Sequence, residues 1–130
     1  MSIDSGLVPI KIILFGIGTI EAHIIRYITP LVADALIDKI PFALRGRFSF
    51  GSQKYWSLPG VKIYKGLNTK SKSNVEKGDI IYNPKTDELI IALEDTEMPN
   101  KICKVGQVNS HLEFLLKARN GLNTKITIKK

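Results

Sequence analysis

One cysteine, Cys103, in 130 residues excludes an internal disulfide and a cysteine-built zinc site. Ile102 and Lys104 place it in a β-rich run, where it reads as a small buried apolar side chain. Neither a base nor an oxyanion donor accompanies it in sequence, so nothing marks it as a reactive thiol. No apolar run reaches the roughly 18 residues that a membrane span needs. Lys11 interrupts the best candidate, Val8–Ile17, which also lacks the basic lead and small-residue cleavage site of a signal peptide. These absences lead us to expect a soluble, cytoplasmic protein. Internal repeats and low-complexity linkers are missing, and residues 1–130 read as a single domain.

The charge is one-sided. Residues 1–100 carry 12 Lys/Arg against 11 Asp/Glu, whereas residues 101–130 carry 7 against the single Glu113. A basic excess of this kind can mark a nucleic-acid surface. Lysine near a final strand also guards a sheet edge, which suits Lys125, Lys129 and Lys130. The segment offers only Phe114 and Arg119 for stacking or guanidinium contacts, which argues against nucleic acid as a partner.

Residues 78–94 say most about the fold. Asp79–Tyr82 and Leu89–Leu93 flank the polar Asn83-Pro84-Lys85-Thr86-Asp87 connection and predict a hairpin. Lys11–Phe15 and Thr19–Tyr27 predict another, around Gly16-Ile17-Gly18. The Gly-x-Gly there is no dinucleotide fingerprint: position 21 is Glu and the next residues alternate like a strand. Thr29-Pro30 predicts a helix start with Thr29 as N-cap, and Pro41 its end. Ala43–Phe50 and Lys54–Leu58 predict a third hairpin, Val61–Tyr64 a short strand, and Lys65–Lys77 a mobile surface loop. Asp95–Asn100 reads as an irregular acidic turn and Lys101–Val108 as a strand. Ser110-His111-Leu112-Glu113 predicts a capping box opening a helix with Leu112, Leu115 and Leu116 inward, and Thr124–Lys129 a last strand. About eight strands with two short helices fit a closed antiparallel barrel, because closure removes exposed edges.

This order resembles the small prokaryotic cyclophilin-like domain family, short relatives of the peptidyl-prolyl isomerase barrel. Thr29-Pro30 opens a helix ending at Ile40-Pro41-Phe42, with Arg45 following as the family's arginine does. Gly51-Ser52-Gln53-Lys54-Tyr55-Trp56 stands where the family has Gly-Asp-Glu-Ile-Tyr-Phe. Gly78-Asp79-Ile80-Ile81-Tyr82-Asn83-Pro84 stands for Gly-Asp-Val-Ala-Tyr-Trp-Pro, and Val105-Gly106-Gln107-Val108 resembles Val-Gly-Arg-Val. The departures are Ser52-Gln53 for an acidic pair, Asn83 for Trp, and Leu93-Glu94-Asp95 for Phe-Gly-Pro. The resemblance implies a cyclophilin-like barrel and a surface cleft lined by Arg45, Gln53, Tyr55 and Tyr82.

Three functional readings follow. The first is a small molecule or extended peptide bound in the cleft, with weak or no catalysis. The second is prolyl isomerisation, in which Arg45 or Arg47 stabilises the twisted amide and Phe48, Phe50 and Trp56 hold the ring. The Phe-His-Arg and Gln-Gly-Gly segments of true cyclophilins are absent, so whether the protein is an enzyme stays open. The third is nucleic-acid binding through the basic 101–130 segment. No cofactor motif is present and none is expected. His23 and His111 lack a third ligand nearby, so no metal is expected either. Asp87-Glu88 and Glu94-Asp95 lie at turns, where Asp bonds its own backbone.

Overall fold

A computed structural model describes residues 6–48, 53–65 and 72–129. Ten strands and two short helices succeed one another: β1 (Leu7–Leu14), β2 (Gly18–Ile25), α1 (Pro30–Lys39), β3 (Phe42–Arg45), β4 (Arg47–Phe48), β5 (Tyr55–Pro59), β6 (Lys72–Val75), β7 (Asp79–Asn83), β8 (Glu88–Ala92), β9 (Thr96–Ser110), a 3-10 helix (Leu112–Lys117) and β10 (Asn123–Ile128). Every strand pairing is antiparallel. The order across the sheet is β3-β10-β1-β2-β9-β7-β8-β5-β4, with β6 paired to β9 off this path.

The β1–β2 hairpin forms because Ile10, Ile12 and Leu14 alternate with Pro9, Lys11 and Ile13, burying one face. Gly16 takes the positive φ of 80° that its three-residue connection requires. The expected 78–94 hairpin is β7 and β8, with Tyr82 opposite Leu89. One core cluster draws on Phe42 and Leu44 at one edge of the order and Phe48, Trp56 and Leu58 at the other. The sheet therefore curls so that both ends share a core, and Val32, Ala33 and Leu36 of α1 fill it. A smaller cluster of Val75, Ile81, Ile90, Ala92, Met98 and Ile102 occupies the opposite face, under β6.

The closed barrel expected from the sequence is corrected here. Among the described residues no ladder joins β3 to β4, the two ends of the order. They are consecutive in the chain, separated by Gly46, where pairing passes from β10 to β5. Gly46 N–H donates to Leu122 O and its carbonyl accepts from Gly121, while any β-carbon there would strike the Trp56 ring. A side chain would thus have to displace buried indole.

Other local expectations change as well. Thr29 precedes α1 but makes no capping bond; its hydroxyl donates to Lys104 O at 3.0 Å, tying the helix start to β9. Ser110 belongs to β9 and no capping box forms; His111 opens the 3-10 helix in the left-handed region at φ 68°. Within that helix Leu115 is buried, but Leu116 is 55% exposed rather than inward. Val61–Tyr64 is no strand, because Lys62 and Tyr64 have φ of 63° and 54°. Residues 72–75 of the expected loop form β6, while 66–71 lie outside the described residues. Asp95–Asn100 is no separate turn, since β9 already begins at Thr96.

Candidate functional site

At the turn before β7, Gly78 has φ 90°, and a β-carbon there would come within 2.8 Å of the Gln107 amide. Asp79, 1% exposed, fixes the turn: its Oδ2 accepts from Glu76 N–H at 2.9 Å. Its Oδ1 lies 3.0 Å from Lys104 Nζ without the alignment of a hydrogen bond, so the contact is an ion pair. Lys77 N–H donates to the Asp95 carboxylate at 2.9 Å. These bonds place Lys77 and the end of β8 against the 3-10 helix. That helix is seated by Leu115 in the core and by Phe114, which closes on Gly18 of β2. The His111 ring stacks on Phe114 with centroids 4.9 Å apart.

Between these pieces opens a cleft of about 120 Å³ lined by Lys77, Leu93, Leu112, Glu113 and Leu116. Three leucine side chains form its walls, and a cation and a carboxylate stand at its rim. His111 Nδ1 lies 3.8 Å from the Glu113 carboxylate. An aliphatic-lined cavity of about 150 Å³ takes up benzene, so this one suits an apolar group of side-chain size. Sequence reasoning put Leu112 and Leu116 in a helix interface and did not foresee a cleft. The only sequence signal was the excess of leucine over what a six-residue helix can bury.

Of the four residues expected to line a cleft, Tyr55 and Tyr82 belong to separate core clusters. Arg45 is exposed on the outward side of β3, its Nη1 donating to Gly121 O at 3.3 Å. Gln53 is exposed ahead of β5. Tyr55 is half-buried against the outer cluster, whereas Tyr82 lies at 0% exposure in the main core. The Tyr82 hydroxyl donates to Asp87 Oδ1 at 2.7 Å and accepts from Tyr64 N–H at 2.9 Å. Burial first, then that bond to Asp87, push its phenol far above the usual tyrosine range. Trp56 is fully buried, its Nε1 donating to Thr124 Oγ1 at 3.2 Å, with Phe48 edge-on at 4.9 Å. Phe50 lies outside the described residues. Trp56 is thus part of the main core and Phe48 packs against it.

Among the described residues no group of three His, Cys, Asp or Glu side chains converges as a metal site. No helix among them is long and apolar enough to cross a membrane.

A model of the cyclophilin-like family matches residues 25–129. The chain belongs to the cyclophilin-like family. Its fold matches the solution structure of the hypothetical protein AF2241 from Archaeoglobus fulgidus, with TM-score 0.78, 15% identity, and 99% of this chain and 100% of that one covered. It also matches McbB in complex with tryptophan, with TM-score 0.74, 15% identity, and 92% of this chain covered but 44% of McbB. At such identity these two likenesses show the fold alone. No curated protein sequence matches the chain.

Proposed function

We propose that this cyclophilin-like protein binds a small amphiphile, or one apolar side chain of an extended peptide, without catalysing its conversion. The observation that carries this is the cleft of Lys77, Leu93, Leu112, Glu113 and Leu116. Its aliphatic walls gain from desolvating an apolar group, by about 25 cal/mol per Å² removed from water. Lys77 and Glu113 at the rim favour a ligand whose charges stay in solvent, where each pairing contributes about 0–1 kcal/mol. McbB, of the same fold, has been seen with tryptophan, a molecule of this amphiphilic kind, though the shared region is under half of McbB. That analogy supports the ligand class. A soluble protein acting in the cytoplasm fits the reading.

The test is an NMR titration with indole- and isobutyl-bearing amino acids and short peptides at millimolar concentration. Shifts at Leu93, Leu112 and Leu116, lost in Leu116→Asp, are expected. Shifts confined to other surfaces would overturn the site. Prolyl isomerisation is the second reading; of its proposed parts among the described residues, Arg45 and Arg47 are exposed, Phe48 is half-buried and Trp56 is buried. A protease-coupled proline-peptide assay decides it, with no acceleration expected from the wild type or from Arg45→Ala.

A further inference from the structure

One half of the outer sheet face is covered by β6 and the small cluster beneath it. The other half, formed by β3, β10, β1 and β2, carries the outward residues of those strands. On β10, Lys125 stands opposite Ile13 of β1 and opposite Ala43 of β3. Lys11 and Arg45 lie two residues from those partners, in opposite directions, Lys11 level with Thr127 and Arg45 level with Asn123. The three cations therefore form one diagonal row across three adjacent strands, each about 7–8 Å from the next at Cα. None of them has an ion-pair partner among the described residues. The one carboxylate on these four strands, Glu21, stands opposite Lys11 but is bonded by Lys129 at 2.7 Å, and that bond first, with a smaller contribution from Lys11, holds it below its ordinary titration range.

An aromatic stands beside the row. Phe15 N–H donates to Asn123 O, which sets Phe15 at the level of Asn123 and Arg45, and the residue is 51% exposed. It borders a broad, shallow depression of about 480 Å³ that includes Ile13, Gly16 and Thr19. Cations in a line with an exposed ring beside them match the requirements of a single nucleic-acid strand: phosphates neutralised in succession and a base free to stack. A duplex keeps its bases stacked on each other and has no use for the ring. Sequence order hid this arrangement, because Lys11 and Arg45 lie far from the basic 101–130 segment.

We propose that the outer β3-β10-β1-β2 face binds single-stranded nucleic acid, with Arg45, Lys125 and Lys11 on successive phosphates and Phe15 under a base. This surface is separate from the leucine-walled cleft and does not depend on it.

Fluorescence anisotropy of a labelled oligouridine tests it, beside an abasic strand of equal length and a duplex. Binding is expected to weaken with salt at a slope of about −2 in log K against log[salt], as three neutralised phosphates require. The double variant Lys11→Glu/Lys125→Glu is expected to lose binding while keeping the wild-type circular dichroism spectrum and melting curve. Phe15→Ala is expected to weaken oligouridine severalfold and leave the abasic strand unchanged. Absence of binding at low salt would overturn the proposal. So would full affinity in the double variant, equal affinity for the abasic strand or duplex, or sedimentation showing that this face joins two copies of the chain.

Discussion

The Tyr82 hydroxyl and the Asp87 carboxylate, five residues apart across the β7–β8 turn, are joined at 2.7 Å inside the protein. Asp87 also holds the segment after β5. Its carbonyl accepts from Gly60 N–H at 3.0 Å and Val61 N–H at 3.4 Å. Its carboxylate accepts from Lys62 N–H at 2.8 Å and Ile63 N–H at 3.1 Å. This single residue satisfies the backbone of a segment that cannot be a strand, and Tyr82 keeps the carboxylate aimed. Tyr82→Phe should cost about 1–3 kcal/mol by leaving Tyr64 N–H and Asp87 short of a partner. Asp87→Ala, which also strips two backbone donors, should cost more. Urea midpoints of both variants check the order, and a Tyr82→Phe midpoint equal to wild type would remove the hydroxyl from the account.

The same pair sets a response to alkali. The Tyr82 phenol is raised in the folded protein by burial and by Asp87, while an unfolded tyrosine titrates at about 10. The folded state then keeps a proton that the unfolded chain has lost. This contribution is complete below about pH 10 and is lost as pH rises beyond it. Tyr82→Phe should therefore show a smaller fall in urea midpoint between mildly and strongly alkaline buffer than the wild type. Before unfolding, the two should gain equal phenolate absorbance.

The Asp79–Lys104 pair is buried on one side, with Asp79 at 1% exposure and Lys104 at 20%. Removing one partner of such a pair strands the other charge, at a cost of about 3–5 kcal/mol for full burial. Lys104→Met should approach the lower end, because the lysine keeps some solvent. The double variant Asp79→Leu/Lys104→Met should recover part of that loss. A double-mutant cycle in denaturant measures it, and additive losses would show the two side chains to be independent.

Gly46→Ala should destabilise the fold by about 1–3 kcal/mol, the range for overpacking a closed core, because its methyl meets the Trp56 ring. Indole fluorescence should report the displaced ring alongside the lower midpoint. Gly16→Ala instead faces open space and pays only for its positive φ.

Alternation made the strands legible. Ile10, Ile12 and Leu14 against Lys11 and Ile13, or Thr124 and Ile126 against Lys125, declare their buried faces without outside help. Pro30 and Pro41 fixed α1 in the same local way. The Gly78-Asp79-Ile80-Ile81-Tyr82 wording identified the family, and the structure shows scaffold reasons for it: a left-handed turn, a buried ion pair and an internal hydroxyl. What stayed hidden was non-local. Val61–Tyr64 has strand composition but answers to Asp87, more than twenty residues away in sequence. Ser110 and Glu113 have capping-box spacing, yet pairing of Ser110 with Glu21 keeps it in β9. The leucine-walled cleft needs three separate segments brought together, and no local pattern announces such a meeting.

The place of β10 has a consequence for synthesis on the ribosome. It lies between β1 and β3, so residues 123–128 are the partner of two strands made well before them. Until those residues leave the exit tunnel, β1 and β3 each present an unpaired backbone edge, and such edges invite association with other chains. Between the synthesis of β3 and that of β10 the nascent chain is thus open to aggregation, and this sheet is completed only when β10 joins it.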